Sequence, residues 1–435
     1  MGTRHTSQPP HYDIIIIGGG QAGLSLSWHM AQAGIHHIVL ERNEIFHAWK
    51  RERWDSFCLV TPNWQCKLPG YEYSGADPNG FMVKSEIIAF VDGFAKSFKA
   101  PVHEGVEVTA LTHDRGGFSL NTSNGEFTAS QVCIATGGYH TPITPRMAER
   151  LPPRLVQIHA NEYRNPLQLP EGAVLVVGTG QSGCQIAEDL HLAGRKVHLA
   201  VGSAPRVSRF YRGRDVVDWL QDMGHYELAV TDHPMQEGVR GKANHYVTGR
   251  DGGRDIDLRK FALEGMSLHG HLDAVTGERL EFANDLADSL NYADRVNDRI
   301  KDSIDAYISS QKIAAPEEAR YVPVWQPTGI SPVLDLAAAD INSIIWCVGY
   351  QPDYSWVHVP VFTGLGVPSH FRGVTSVPGL YFLGLPWLHT WGSGRFAAIA
   401  RDAAHLSSHI IHTAQRLKHV PETASLSNVL SATEN

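Results

Sequence analysis

The chain has 435 residues, of which 43% are hydrophobic and 19% charged, so it can bury a large core and divide into two domains. Its net charge of −8 offers no basic footprint for nucleic acid. No apolar run approaches the ~20 residues of a membrane span, and the N-terminus has no signal-peptide core. The five cysteines are odd in number and scattered, which favours a reducing compartment, and we expect a cytoplasmic protein.

After a flexible tail at 1–10, the first predicted unit is a strand, a glycine turn and a helix within residues 12–42. An apolar run typical of a strand buried on both faces leads into a G-x-G-x-x-G fingerprint, Gly18-Gly19-Gly20-Gln21-Ala22-Gly23. The glycines let the backbone approach a pyrophosphate, which free N–H groups at the helix N-terminus bind. Glu41 closes the next strand, beside Arg42, where a carboxylate accepts ribose hydroxyls. We predict an FAD site here; a solvated charge at a strand end is the alternative for Glu41.

The rest of the first part of this domain, assigned to 11–150, is less regular. A loop-rich stretch at 43–80 carries Trp49 and Trp54, which we expect to contact the cofactor, and a helical pattern follows Ser85. Three strands are then predicted, at 106–111, 117–121 and 131–135. The last strand runs into Thr136-Gly137, small residues that let the chain pass close to a bound dinucleotide.

A second fingerprint opens a domain that we assign to 151–335. The apolar run 174–177 leads into Gly178-Thr179-Gly180-Gln181-Ser182-Gly183. No carboxylate closes the following strand, which leads instead to Ser203 and Arg206. An acid there would repel a ribose 2′-phosphate, whereas Ser and Arg would bind it. We predict an NADPH site, with a solvated loop cation as the alternative for Arg206.

Residues 210–335 carry no chemical motif and read as an irregular, partly helical insertion. One stripe of apolar residues at mostly i, i+4 spacing predicts a helix that packs on a core: Leu286, Leu290, Val296, Ile300, Ile304 and Ile308. Although the chain has 24 histidines, no His/Cys/Asp spacing builds a metal site, and none is expected.

The C-terminal part, 336–418, returns to the first domain, and a second flexible tail is expected at 419–435. Two apolar strands lead into Gly349 and Gly384, and Gly392-Ser393 begins a predicted terminal helix at about 394–417. The N–H groups of that helix start would face the pyrimidine end of the flavin. The predicted fold class is α/β, with two Rossmann-like dinucleotide-binding domains and the FAD domain split by the inserted NADP domain.

Two dinucleotide sites in one chain indicate electron transfer from a nicotinamide to a flavin. Flavoprotein disulfide reductases share this layout but add a closely spaced cysteine pair. Here Cys58 and Cys66 are eight residues apart and no closer pair exists, so no redox disulfide of that type is expected. The reduced flavin must pass its electrons to something that diffuses in, with O2 as the leading candidate.

Several motifs resemble the class B flavoprotein monooxygenases, which include the flavin-containing monooxygenases and their auxin-forming plant relatives. The resemblance rests on both fingerprints, on Trp54-Asp55-Ser56, Thr61-Pro62 and Ala135-Thr136-Gly137, and covers most of 10–210 and 335–415. The stretch 384–394 is similar to a bacterial branch of flavin-dependent oxidoreductases.

The identifying motif of that family, F-x-G-x-x-x-H-x-x-x-Y/W, is half present. His159 and Tyr163 match its end, whereas Pro153 and Leu155 occupy its Phe and Gly positions. The resemblance implies that His159 and Tyr163 act from the linker between domains and set how NADP⁺ lies over the flavin; simple packing is the alternative. It also implies that Asn63 donates to the flavin edge, with stabilisation of a turn as the alternative.

The resemblance further implies that NADPH reduces FAD, that O2 adds to the flavin C4a, and that the (hydro)peroxide oxygenates a small organic substrate. The expected partners are that substrate and O2. The sequence leaves open whether the chain forms a homodimer. The alternatives are an NAD(P)H-dependent flavin reductase or oxidase that passes electrons to O2, a quinone or a protein, and a flavin-binding module without turnover.

Overall fold

The computed structural model describes residues 8–418, so the predicted tails, apart from residues 8–10, lie outside the described residues. None of the helices in this range is long and apolar enough to cross a membrane. In chain order the helices are α1 Gln21–Gln32, α2 His47–Arg51, α3 Lys84–Ser97, α4 Gln181–Leu192, α5 Val216–Asp222, α6 Leu258–Leu263, α7 Leu286–Gln311 and α8 Ile399–Lys418.

The strands divide among two parallel sheets, one mixed four-stranded sheet and several smaller antiparallel ones. In chain order they are β1 His11–Tyr12, β2 Ile14–Ile17, β3 His37–Glu41, β4 Lys67–Leu68, β5 Tyr71–Glu72, β6 Val102–Glu104, β7 Val108–Asp114, β8 Gly117–Thr122, β9 Gly125–Ala129, β10 Val132–Ile134, β11 Thr141–Pro142, β12 Val156–His159, β13 Ala173–Val177, β14 Val197–Ala200, β15 Phe210–Tyr211, β16 Arg214–Asp215, β17 Ser267–His269, β18 Leu272–Thr276, β19 Arg279–Phe282, β20 Val333–Asp335, β21 Ile341–Trp346, β22 Tyr350–Gln351 and β23 Leu380–Phe382.

The first parallel sheet has the order β23-β10-β2-β3-β6. All four residues of β2 are fully buried or nearly so, as its unbroken isoleucine run requires for a strand covered on both faces. β23 comes from the C-terminal part of the chain and pairs with β10. The first domain is therefore split, and the intervening chain forms the second sheet.

The second parallel sheet has the order β12-β21-β13-β14-β17. β21 lies between β12 and β13, pairing Ile345 with both Ile158 and Val176. The predicted boundary at 335/336 consequently falls too early, because β21 fills the centre of the second sheet. The apolar pattern of a buried strand does not show which of the two sheets the strand joins.

The chain passes between the two domains twice, and the two passages pair with each other. β11 and β22 form an antiparallel ribbon in which Thr141 opposes Gln351 and Pro142 opposes Tyr350. β1, β9, β8 and β7 form a separate four-stranded sheet whose apolar side packs on the first domain. The two Rossmann-like units are thus held by a double crossing.

The insertion is built on α7, the helix predicted from the apolar stripe. Leu286, Leu290, Ile304 and Ile308 are buried, and Val296 and Ile300 are half-buried, so the stripe faces the core as expected. α8 begins five residues later than predicted. A right-handed helix cannot include Gly394, because its φ of +78° is left-handed.

Candidate active site

Three glycines of the first fingerprint meet three different physical demands. Gly18 has φ +112°, and a Cβ there would lie 2.7 Å from the Ala135 carbonyl oxygen. A Cβ on Gly23 would lie 1.9 Å from the Gly18 carbonyl oxygen, so α1 can pack on its turn only without a side chain. A Cβ on Gly20, in contrast, would meet nothing within 4 Å. The fold itself requires the first and third glycines, while the middle one faces open space.

The second fingerprint repeats this arrangement. Gly178 has φ +102°, and its Cβ would lie 2.7 Å from the Cys347 carbonyl oxygen. A Cβ on Gly183 would lie 2.0 Å from the Gly178 carbonyl oxygen, and one on Gly180 would meet nothing within 4 Å. Both turns therefore present an open backbone cradle at a helix N-terminus, which fits a pyrophosphate.

Glu41 lies where a ribose-binding carboxylate is expected. It ends β3 beside the first fingerprint, and its Oε2 accepts the Gly19 N–H at 2.6 Å while its Oε1 accepts the Asn43 N–H at 2.8 Å. The carboxylate is half-buried, whereas the neighbouring Arg42 is exposed. Two backbone donors thus orient Glu41 at the edge of the cradle.

Gln21 connects the first fingerprint to two distant segments. Its Oε1 accepts the indole N–H of Trp49, and its Nε2 donates to the Gly394 carbonyl, both at 3.0 Å. Trp49 also stacks on Phe396, with ring centroids 5.4 Å apart. Trp54, which was predicted to bind cofactor, is buried in the apolar core of the second domain.

Small residues bring the C-terminal part close to the fingerprint. A Cβ on Gly384 would lie 2.7 Å from the Cβ of Ala22. The chain after β23 can therefore approach α1 this closely only because residue 384 is glycine. On the neighbouring strand end, Thr136 Oγ1 lies 3.1 Å from His140 Nε2, and Gly137 has φ +77° with open space at its Cβ position. These residues line the carboxyl edge of the first sheet, where doubly wound folds bind ligands.

Gly392 and Ser393 lie in turns that precede α8, which corrects the predicted helix start. Ser393 is buried, and its Oγ accepts the N–H groups of His389 and Thr390 at 3.0 and 3.1 Å. The hydroxyl of Ser393 therefore holds its own turn.

At the second fingerprint, Gln181 forms two hydrogen bonds with the insertion. Its Nε2 donates to the Val247 carbonyl at 2.6 Å, and its Oε1 accepts the Val247 N–H at 3.3 Å. Ser182 and Ser203 are exposed near the open cradle. Gly349, at the end of the crossing from β21, has φ +93° and open space at its Cβ position.

Arg206 does not lie free at the end of β14, contrary to the sequence-based expectation. Its side chain is 5% exposed, its Nε donates to Asp294 Oδ1 at 2.6 Å, and its guanidinium lies over the Tyr321 ring at 4.2 Å. The Asp294 carboxylate neutralises this buried charge. Arg206 therefore has a buried ion-pair partner, Asp294, that lies 88 residues away along the chain.

His159 lies at the crossing between the domains. It ends β12, is 4% exposed, and its Nε2 lies 3.1 Å from the Gly349 carbonyl oxygen. Its ring contacts Tyr350 of the returning strand edge-on, with centroids 4.8 Å apart. The structure thus places His159 in the linker, with an aromatic residue of the second crossing against it.

Tyr163 and Asn63 both use their polar atoms within the protein. Tyr163 is fully buried and donates to Asp189 Oδ2 at 2.7 Å, and its pKa is raised by burial and by this carboxylate. Asn63 donates to the Asp77 carbonyl at 2.9 Å and accepts the Met82 N–H at 2.7 Å. These contacts agree with the packing and turn-stabilising alternatives.

Two features of the site escaped sequence reasoning. The Asp189 carboxylate on α4 accepts hydrogen bonds from Tyr163, from Ser56 of the first domain at 2.5 Å and from Arg250 of the insertion at 2.8 Å. Asp189 therefore joins three parts of the chain. Gln65, two residues after Asn63, is 2% exposed, and neither atom of its amide has a hydrogen-bond partner. No spacing rule identifies either residue, because their partners or surroundings lie far along the chain.

The cysteines are apolar residues in this structure. All five are free, and burial raises the pKa of Cys58 to about 11 and that of Cys66 to about 12. Near neutral pH both are thiols, which are poor nucleophiles. Among residues 8–418, no group of three or more His, Cys, Asp or Glu side chains is arranged to hold a metal ion.

Comparison with known proteins shows the family of this chain. Residues 15–229 match the pyridine nucleotide-disulphide oxidoreductase family model. A CzcO-like oxidoreductase of Geobacillus kaustophilus is 31% identical over 404 residues, which are 92% of this chain and 98% of the relative. This chain belongs to the CzcO-like oxidoreductase family. An Arabidopsis thaliana protein named as a probable indole-3-pyruvate monooxygenase, YUCCA1, is 31% identical over 198 residues, 44% of this chain and 48% of that protein.

Among solved structures, the flavin-containing monooxygenase of Stenotrophomonas maltophilia superposes on this CzcO-like protein with a TM-score of 0.63. The two share 17% identity, and the match covers 93% of this chain and 99% of that one. The predicted fold class and the resemblance to flavoprotein monooxygenases are confirmed. The protein is an oxidoreductase, and its cofactors are FAD and a nicotinamide dinucleotide, as in its family.

Proposed function

We propose that this protein is an NADPH-dependent FAD monooxygenase that transfers one oxygen atom from O2 to a small organic substrate. The observation that carries the proposal is the pair of open glycine cradles in a chain whose five cysteines are free thiols, four of them buried and Cys347 half-buried. One cradle serves the flavin and the other the nicotinamide. With no reactive dithiol to receive electrons, the acceptor must reach the flavin by diffusion.

The choice of NADPH rests on the residues that follow β14. Residues 201–206 include no carboxylate, and Ser203 is exposed there. A ribose 2′-phosphate therefore meets a hydroxyl donor and no acid, whereas NADH-binding sites commonly carry an acid for the 2′-hydroxyl. Since Arg206 is committed to Asp294, the proposal relies on Ser203 and on the missing acid.

The bound FAD supplies hydride acceptance from NADPH and activation of O2, which is chemistry that no side chain provides. The protein positions the two cofactors. Gly20 and Gly180 leave backbone N–H groups accessible to the two pyrophosphates, and Glu41 is placed for a ribose. Asp189 fastens the second domain and the insertion to Ser56 of the first, which keeps the two nucleotide sites in register.

His159 is a positioning residue in this proposal. Its contacts with the Gly349 carbonyl and the Tyr350 ring connect the two crossings of the chain. Any change in the angle between domains must alter these contacts. We therefore assign His159 to holding the nicotinamide half against the flavin half, with no proton transfer of its own.

The test is the fate of electrons in the purified holoenzyme. Reduce the protein with NADPH without air, mix it with O2, and follow both the flavin absorbance and H2O2. A monooxygenase regains its oxidised spectrum after a delay and releases little peroxide when substrate is present. Immediate recovery with one H2O2 per NADPH would identify an oxidase or reductase, and failure of NADPH to reduce the flavin would leave a binding module.

A further inference from the structure

Two arginines near the first fingerprint, Arg53 and Arg395, form no ion pair with a carboxylate of residues 8–418. Both side chains are half-buried. The buried arginines Arg206, Arg209 and Arg259, in contrast, each pair with an aspartate. The charges of Arg53 and Arg395 are therefore available to a bound molecule.

Arg53 is held by its neighbours but keeps free donors. Its Nη1 donates to the Glu52 carbonyl at 3.0 Å, and its guanidinium lies 5.2 Å from the centre of the Trp49 ring. Its Nε and Nη2 have no hydrogen-bond partner among residues 8–418, and neither is sealed from solvent as the unpartnered Nε of Arg209 is. A ligand can therefore reach these N–H groups.

Arg395 directly follows Gly394, whose carbonyl accepts the Gln21 amide of the first fingerprint. Its Nη1 donates to the Trp391 carbonyl, its Nη2 donates to Asn244 Oδ1 at 3.0 Å, and its guanidinium lies over the Trp391 ring at 4.2 Å. Its Nε has no partner in the described chain and is open to solvent. Neutral acceptors thus hold this guanidinium in place without neutralising its charge.

The two arginines flank one place in the fold. The rings of Trp49 and Phe396 stack with centroids 5.4 Å apart, which joins the segment of Arg53 to that of Arg395. Burial lowers the pKa of both guanidiniums, and the phenol of Tyr139 acts on both in the opposite direction. Tyr139 is 62% exposed and lies just before β11, where the chain first crosses between the domains.

The missing counter-charge points to an anion. An arginine remains charged near neutral pH even in this setting, and a charge withdrawn from water is unfavourable unless it is compensated. The groups that raise the pKa of Arg395 are the phenols of Tyr139 and Tyr226, and no carboxylate of the described chain is among them. The carboxylate of Glu52 acts on Arg53, but from beyond ion-pair distance.

We propose that Arg53 and Arg395 receive the anionic group of the substrate, which is then a small carboxylic acid. A guanidinium offers a planar fork of N–H donors that matches a carboxylate. The exposed ring of Tyr139 gives the body of such an acid a face to pack on. The inference rests on the proposed function and deepens it, because it names the substrate class of that enzyme.

The experiment compares acids with their neutral amides in the FAD-loaded enzyme. Benzoate, phenylacetate and phenylpropionate are titrated beside benzamide, phenylacetamide and phenylpropionamide, by calorimetry at fixed ionic strength. In the parent, at least one acid should bind about 10-fold or more tightly than its amide, because hydrogen bonds between charged partners are the stronger ones. This preference should fall as salt is added, because ions screen the attraction.

Two variants assign the preference to the arginines. Arg395→Met and Arg53→Met keep a long side chain and remove the charge, so each should weaken binding of the acid about 10-fold or more and leave the amide nearly unaffected. Arg395→Lys keeps the charge without the fork and should retain part of the preference. Arg416→Met, at an exposed position on α8, is the matched control and should retain all of it.

The parent alone can overturn the inference, with no variant required to fold. It is overturned if no acid binds better than its amide there, or if the preference does not respond to salt. It is also overturned if the preference survives in both Met variants, or if these variants weaken binding of FAD or NADPH and leave the acid unaffected. No titration uses NADPH oxidation or O2, so an oxidase result in the electron-fate test leaves these outcomes distinguishable.

Discussion

Gly20→Ala is expected to weaken FAD binding while leaving the protein folded. Gly20 has φ −82° and ψ −174°, which alanine adopts freely, and its Cβ would meet nothing within 4 Å. Restricting the unfolded chain adds about 0.4–1 kcal/mol of stability, and losing a glycine N-cap subtracts about as much. The free energy of unfolding of the FAD-free protein should therefore stay within about 1 kcal/mol of the parent.

The cost to FAD comes from the methyl group inside the cradle. It prevents the pyrophosphate from reaching the backbone N–H groups, and each hydrogen bond to a charged group contributes about 1.5–3 kcal/mol. Losing one such bond weakens FAD binding about 10- to 150-fold. The assay is the ratio of flavin to protein absorbance after purification, followed by fluorescence titration with FAD and urea unfolding.

Two matched variants make the result specific. Gly23→Ala places its Cβ 1.9 Å from the Gly18 carbonyl oxygen, so it should lose FAD together with stability. Gly180→Ala, with open space at its Cβ, should retain FAD and lose nicotinamide binding. An unchanged FAD affinity in Gly20→Ala would refute the first cradle, and unfolding as severe as in Gly23→Ala would refute the open-space argument.

Three further outcomes are expected. Ser203→Asp should raise KM for NADPH at least about 10-fold and leave KM for NADH nearly unchanged, because the new acid repels a 2′-phosphate. Replacing Cys58 and Cys66 together by Ser should leave NADPH-driven flavin turnover within a few-fold of the parent, since neither thiol carries electrons. His159→Ala should increase H2O2 released per NADPH more than it slows flavin reduction, because it loosens the crossing between domains.

A specific result would contradict each of these three predictions. Equal changes for the two coenzymes in Ser203→Asp would mean that the 2′-phosphate binds elsewhere. Loss of turnover in a stably folded Cys58/Cys66 double variant would restore a redox role for these thiols. A His159→Ala protein that loses stability while its peroxide yield stays constant would make that histidine a packing residue.

Local chain geometry made the nucleotide-binding units predictable. Both βαβ units appear where the fingerprints placed them, because a buried apolar strand followed by three spaced glycines has few alternative conformations. The helix 286–311 was likewise evident from its apolar stripe. In contrast, the start of α8 was misplaced because a single left-handed glycine outweighs a helical pattern.

Side-chain roles were less predictable, since they depend on partners far along the chain. Arg206 is a plausible phosphate ligand until Asp294, 88 residues later, pairs with it. Tyr163 fits a family motif, yet its hydroxyl is held by Asp189. In both cases the sequence shows which residue is present, but it does not show that another residue of the protein already binds its charge or hydroxyl.

The sequence by itself determined that this protein has two dinucleotide cradles, because the positive φ of each first glycine and the close approach of each third glycine to the first arise within the turn itself. Only the tertiary structure decided that β21 completes the second sheet and that the amide of Gln65 stays unpaired. It also decided that Asp189 joins three segments. These facts follow from contacts between distant parts of the chain, whose burial and hydrogen bonding exist only once the domains have packed together.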